Sequence, residues 1–202
     1  MSTAKNNINR KHKYFMKLAY NQAGKVLGNT GNNPAVGCVI VKNNALISLA
    51  HTNFNGRPHA ERIALSSKKI NFKDSLLYST LEPCSHYGKT SPCTDIIKKQ
   101  NIKSVYFSKF DPDRRSFRKA KKELSKYNIK TFGNVYKSAG DNFYRDFYIK
   151  KMTNNIFIII NAHIRVAILK YLPVNCIGQF KTLSIYLSFN PWSNWTKCVP
   201  PF

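Results

Sequence analysis

The chain has 202 residues, 43% of them hydrophobic, and carries 33 Lys+Arg against 9 Asp+Glu for a formal net charge of +24, which suits one domain with a full core plus an appendage. Five cysteines, an odd number, without a signal-peptide pattern argue against a secreted disulfide framework, and the apolar stretch 156–169 is too short and too interrupted by Asn161, His163 and Arg165 to span a bilayer. The expectation is a cytoplasmic protein with no membrane partner, whose lysines, spread evenly rather than blocked, read as surface charge or attraction for a phosphorylated small molecule before a dedicated nucleic-acid surface.

Residues 1–11 read as a basic tail. From His12 to Leu27, Phe15, Leu18, Ala19, Ala23, Val26 and Leu27 recur at helical spacing, which predicts an amphipathic helix stopped by Gly28. The uninterrupted run Ala35 to Val41 predicts a strand buried on both faces, and Asn43-Asn44 predicts a hairpin into a second strand, Ala45 to Ala50. A helix is expected from His59 to Ser67, a strand from Leu76 to Thr80, a helix from Cys93 to Lys99 behind Pro92, and a strand from Ser104 to Phe107. A charged helix from Phe117 to Tyr127, a strand from Ile129 to Phe132, a helix from Asp141 to Lys151 and a strand from Ile156 to Ile160 complete the readable pattern. Strands alternating with helices after an opening hairpin predict a three-layer α/β/α domain with a mixed five-stranded sheet.

The chemistry concentrates in Pro58-His59-Ala60-Glu61, Pro83-Cys84 and Pro92-Cys93. One His and two Cys can hold zinc with a fourth position left for water. His59 and Cys93 both open helices, where the helix dipole favours thiolate over thiol. Glu61, two residues past His59, is placed to shuttle protons, and His-x-Glu followed by Pro-Cys is the pattern of the zinc-dependent deaminases of amino-substituted heterocycles. A structural site would need a fourth protein ligand, for which His51 and His86 are the nearest candidates; Cys38, inside an apolar strand, reads as core. Eight residues separate Cys84 from Cys93, against two in the common form of the pattern. Within them, Gly88, Lys89 and Thr90 offer a close backbone approach, a charge and a hydroxyl, which suits a phosphate.

Three segments, Asn33 to Val41, Pro58 to Glu61 and Thr80 to Cys93, together resemble the deaminase domain of the riboflavin-biosynthesis diaminohydroxyphosphoribosylaminopyrimidine deaminases, over roughly residues 12–150. The resemblance implies a cytidine-deaminase-like fold, zinc on His59, Cys84 and Cys93, and Glu61 as proton shuttle. It further implies that Asn33 binds the pyrimidine and that His86, Lys89 and Thr90 hold the ribose phosphate. The implied reaction converts 2,5-diamino-6-ribosylamino-4(3H)-pyrimidinone 5′-phosphate to 5-amino-6-(5-phosphoribosylamino)uracil, in a self-associating enzyme. Two positions depart from the family. Counted back from His59, Thr52 stands where a His is expected, with His51 one position early, and Asp113 stands where Asn commonly follows Asp-Pro.

Many members continue into an NADPH-dependent reductase. Here the expected Lys-x-Ser-x-Asp-Gly run is not found, so no reductase activity is expected; residues 151–202 read as a C-terminal tail, either the remnant of such a domain or a frameshifted read-through, and the next step falls to a separate reductase protein. Two rivals stand beside this reading. One is a tRNA adenosine or nucleoside deaminase of the same superfamily; the other is a basic RNA-binding protein with a vestigial site.

Overall fold

In the computed structural model, backbone is described for residues 2–153, 156–158 and 167–169, and side chains for 9–151. The chain divides into two compact units, 1–153 and 154–202. The first carries every residue singled out above for chemistry.

Its centre is a five-stranded sheet of order β2-β1-β3-β4-β5, formed by β1 (Gly37–Lys42), β2 (Ala45–His51), β3 (Leu76–Leu81), β4 (Ser104–Lys109) and β5 (Lys130–Phe132). β1 runs antiparallel to both β2 and β3, while β3, β4 and β5 are parallel, so the predicted mixed sheet is present. The hairpin turns at Asn43 and Asn44, both with positive φ, 49° and 65°, which asparagine tolerates better than most residues.

Side chains alternate across the sheet and sort the helices into two layers. Tyr78 of β3 meets Phe15 and His12 of α1 (Ser2–Gly24). On the opposite face, the neighbouring Ser79 donates to Glu61 of α2 (Ala60–Ala64). The second layer also holds α3 (Cys93–Lys99) and α4 (Ala120–Ser125). Two further helices, α5 (Lys137–Phe143) and α6 (Arg145–Thr153), follow β5. The core between the layers is continuous: Met16, Ala19, Cys38, Val39, Ile40, Leu77, Tyr78, Ile97, Val105 and Leu124 are completely buried, each large apolar side chain contributing about 1.5–3 kcal/mol.

Ala19 and Ala23 let α1 lie directly on β1. A Cβ built on Gly37 would sit 1.8 Å from the Ala19 carbonyl oxygen and 2.8 Å from the Ala23 nitrogen, both backbone atoms. Gly37→Ala must therefore push the helix off the strand, and we expect a loss of about 3 kcal/mol, read as a lower urea midpoint with an unchanged slope. A midpoint equal to wild type would show that the helix has room to move.

A buried hydroxyl chain ties the last helices to the sheet. Tyr144 donates to the Ala35 carbonyl at 2.9 Å, which spends its one proton; Thr80 therefore donates to Tyr144 at 2.6 Å and itself accepts from Gly37 N at 3.0 Å. Tyr144 also explains why the single helix expected over 141–151 is two. It leaves helical geometry, at φ −98° and ψ 5°, where its ring turns into the core between α5 and α6.

Other boundaries moved for local reasons. The expected tail 1–11 is helical from Ser2, since no Gly or Pro interrupts it before Gly24. α2 stops at Ala64 rather than Ser67 because the Ser66 hydroxyl takes the Ile63 carbonyl. α4 begins at Ala120 rather than Phe117, because Arg118 has positive φ and its N–H, like that of Ala120, is held by the Glu82 carboxylate.

In the second unit, β6 (Ile156–Ile158) pairs antiparallel with β7 (Ala167–Leu169). The strand predicted to reach Ile160 extends past the described residues. The reading of 151–202 as a reductase remnant also lies largely outside them. Among the described residues no helix is long and apolar enough to cross a membrane.

Candidate metal centre and its cleft

Three chain segments converge at the carboxyl end of β3. His59 is the residue before α2, in extended geometry, and presents its ring at the helix mouth. Cys84 follows β3 in a loop, and Cys93 is the first residue of α3, behind the fixed φ of Pro92. Their ligand atoms all lie within 4.8 Å of one another. Cys84 Sγ is 3.6 Å and Cys93 Sγ 3.4 Å from His59 Nδ1.

Those distances provide a test of fit. Tetrahedral zinc at about 2.0–2.1 Å from nitrogen and about 2.3 Å from sulfur requires nitrogen and sulfur to be about 3.6 Å apart. The donor set and spacing therefore fit zinc, through the His59 Nδ1 atom. The backbone supports the arrangement. Cys93 N–H donates to Cys84 Sγ at 3.2 Å, and Thr94 N–H to the Cys84 carbonyl at 3.2 Å.

The charges suit a cation. The Cys84 thiol is pushed down to about 4, chiefly by its hydrogen bond from Cys93 with a further one from His59, while the same Cys93–Cys84 hydrogen bond and then burial push Cys93 up. Thiolate character at Cys84 suits it to bind a divalent cation. His59 is shifted upward, chiefly by its hydrogen bond to Cys84.

Glu61 lies in the first turn of α2 and is only 3% exposed. Ser79 donates to its Oε1 at 3.2 Å, and Oε2 is 3.6 Å from Cys93 Sγ, which places the carboxyl directly beside the three donors. Burial raises its affinity for a proton, opposed mainly by the charge of His59. A carboxyl held near a metal and shifted toward neutrality is suited to accept and return a proton.

A cleft opens onto His59, Glu61 and Cys84 and is walled by Asn33, Arg57, His86, Asp111 and Asp113 among others. Asn33, on the cleft wall, donates to the Gly56 carbonyl at 3.3 Å. The turn is specific: Gly56 has φ +85°, and a Cβ there would meet the Asn33 amide nitrogen at 2.4 Å. His86 is held by Ser116 at 2.7 Å. Thr52 rather than His51 reaches the cleft; its buried hydroxyl accepts from Val36 N at 3.0 Å, whereas His51 contacts the Thr52 carbonyl. Lys89 and Thr90 are exposed on the loop outside the cleft wall.

Several groups here were given no role by the sequence. Glu82 is buried and accepts from the N–H groups of Asp111, Arg118 and Ala120, so it shapes the loop that walls the cleft. Asp111 accepts from Asp113 N, and burial raises its carboxyl to about 7. Asp113 is clasped by Arg115, with guanidinium–carboxylate distances of 2.6–3.3 Å, which holds its carboxyl well below the usual range. Ser79, aimed at Glu61, could have been suspected only from the alternation of β3.

Comparison with known proteins agrees with this geometry. Residues 9–109 match the family described as the cytidine and deoxycytidylate deaminase zinc-binding region. The chain is similar to the riboflavin biosynthesis protein RibD of Aquifex aeolicus, 45% identical over 101 residues, covering 50% of this chain and 28% of that protein. It is 36% identical to RibD of Haemophilus influenzae over 138 residues, covering 68% of this chain and 37% of the relative. The chain thus spans only about a third of the length of these relatives. Among solved structures, a diaminohydroxyphosphoribosylaminopyrimidine deaminase/5-amino-6-(5-phosphoribosylamino)uracil reductase from Thermotoga maritima is similar. It superposes with a TM-score of 0.70 at 33% identity, over 74% of this chain and 43% of that one.

Proposed function

The chain belongs to the cytidine and deoxycytidylate deaminase zinc-binding family, and from that footing we propose that it is a zinc-dependent hydrolytic deaminase of the riboflavin pathway. Its substrate is 2,5-diamino-6-ribosylamino-4(3H)-pyrimidinone 5′-phosphate and its product 5-amino-6-(5-phosphoribosylamino)uracil. The observation that carries the reading is the Glu61 carboxyl, buried beside His59 Nδ1, Cys84 Sγ and Cys93 Sγ at the floor of an open cleft. The similarity to RibD proteins supports the choice of substrate.

His59, Cys84 and Cys93 would hold the ion, which when bound would supply the Lewis acidity that makes water nucleophilic near neutral pH. Glu61 takes a proton from the attacking water at one carboxylate oxygen and gives it to the adjacent ring nitrogen. Ser79 fixes the other oxygen and so aims the group. As the bond from the ring carbon to its exocyclic amine breaks, Glu61 takes the remaining water proton from the new hydroxyl and delivers it to the departing amine. Water oxygen ends on the ring carbon, and ammonia leaves. Asn33 orients the pyrimidine through its amide oxygen, and the loop from His86 to Thr90 borders the ribose phosphate. The enzyme self-associates and works in the cytoplasm, and its product goes on to a reduction step.

Ammonia release from the pyrimidine phosphate by the zinc-loaded protein tests this directly, with cytidine and a tRNA adenosine stem-loop as competing substrates. Turnover of the pyrimidine phosphate alone is expected. Turnover of either competitor in its place would overturn the substrate assignment, and turnover of none would overturn the activity.

A further inference from the structure

The loop motif Gly88-Lys89-Thr90 points to a phosphate, yet Lys89 and Thr90 are exposed outside the cleft wall. The wall itself contains a different cation. We propose that Arg57 is the residue that recognises the anionic group of the substrate and sets the preference for a phosphorylated over a non-phosphorylated pyrimidine. This deepens the reading above and rests on it for the identity of the substrate.

Arg57 lies two residues before His59, is half-buried, and lines the cleft. Its Nη1 donates to Thr90 Oγ1 at 2.9 Å, its one hydrogen bond among the described residues, and no carboxylate there pairs with it. Arg115, also on the cleft, differs: its Nε and Nη2 are spent on Asp113. Lys151 reaches the cleft too, but from the exposed surface of α6. Arg57 therefore brings an uncompensated charge and a planar fork with donors to spare, the form suited to binding phosphate with two parallel hydrogen bonds.

A second group converges on the same place. A Cβ built on Gly88 would lie 3.6 Å from Arg57 Nη2 and 3.9 Å from His86 Nε2. Both are ordinary contact distances, so the guanidinium and the imidazole edge approach one point beside Gly88. Because His86 Nδ1 is engaged by Ser116, Nε2 is the nitrogen turned to a ligand. The Arg57–Thr90 bond also gives the loop a reason to stand where it does, since the guanidinium that meets the anion also holds the Thr90 hydroxyl.

Two measurements on the full chain test the assignment. In the first, kcat/KM is measured for the phosphorylated pyrimidine and for its dephosphorylated counterpart. Arg57→Ala should lower the ratio between them about tenfold or more, chiefly through KM, and Arg57→Lys should recover part of it. Equal losses on both substrates would show a merely structural arginine and overturn the proposal, as would an unchanged ratio. In the second, ribose 5-phosphate is titrated and followed by NMR or calorimetry, which needs no turnover. Binding that weakens about tenfold in Arg57→Ala supports the site even if the pyrimidine is not deaminated. Wild-type protein that does not bind ribose 5-phosphate, or Arg57→Ala protein that binds it equally well, overturns it.

Discussion

Glu61→Gln is expected to lower ammonia release by about 10²–10⁴-fold, the range that a positioned acid/base contributes, while metal content and fold are retained. The amide is nearly isosteric, and its oxygen can still accept from Ser79, which donates to Glu61 Oε1 at 3.2 Å. What it cannot do is take a proton from water and return it to the substrate. Burial already disfavours the charge on Glu61, so neutralising it should leave the melting temperature unchanged or slightly higher. Three readouts separate chemistry from structure: single-turnover ammonia release, zinc stoichiometry by atomic emission, and thermal melting. Activity within tenfold of wild type, with zinc bound, would remove Glu61 from the mechanism.

Removing the metal should cost stability as well as activity. The three donors come from the start of α2, the loop after β3 and the start of α3. An ion among them cross-links segments 25 and 9 residues apart in sequence. For an ion present at a thousandfold over its dissociation constant, linkage gives about 4 kcal/mol. In a domain of this size that corresponds to a melting temperature lower by about 10 °C after chelation. Adding zinc should restore both melting temperature and turnover. Cys93→Ser should reproduce the chelated state permanently, because a serine hydroxyl does not ionise near neutral pH to replace a thiolate. A Cys93→Ser protein that keeps stoichiometric zinc and the wild-type melting temperature would show that the site does not depend on these three ligands.

Most of the fold was legible because its signals are local. The run from Ala35 to Val41 could only be a strand buried on both faces, and β1 is buried from Gly37 to Val41. The helices after Pro58 and Pro92 were marked by proline and by the change of period. Misplaced boundaries share one cause, a side chain that binds across the chain. Ser66 stops α2, Glu82 holds Arg118 out of helical geometry, and Tyr144 divides α5 from α6.

The clustering of His59, Cys84 and Cys93 was equally legible, since His59 and Cys93 each stand at a helix start and each cysteine follows a proline. The sequence by itself determined the family, because that depends on donor identity and short spacings that local geometry preserves. For an anion it pointed only to residues between Cys84 and Cys93, whereas Arg57, which the fold brings to Thr90, lies outside them. Tertiary structure decided which side chains actually meet there. Ser79 reaches Glu61 across 18 residues, Glu82 gathers N–H groups 29–38 residues away, and Arg57 meets Thr90 across 33. No periodicity records such pairings, which depend on how separate loops are brought together once α2 and α3 pack on the same face of the sheet.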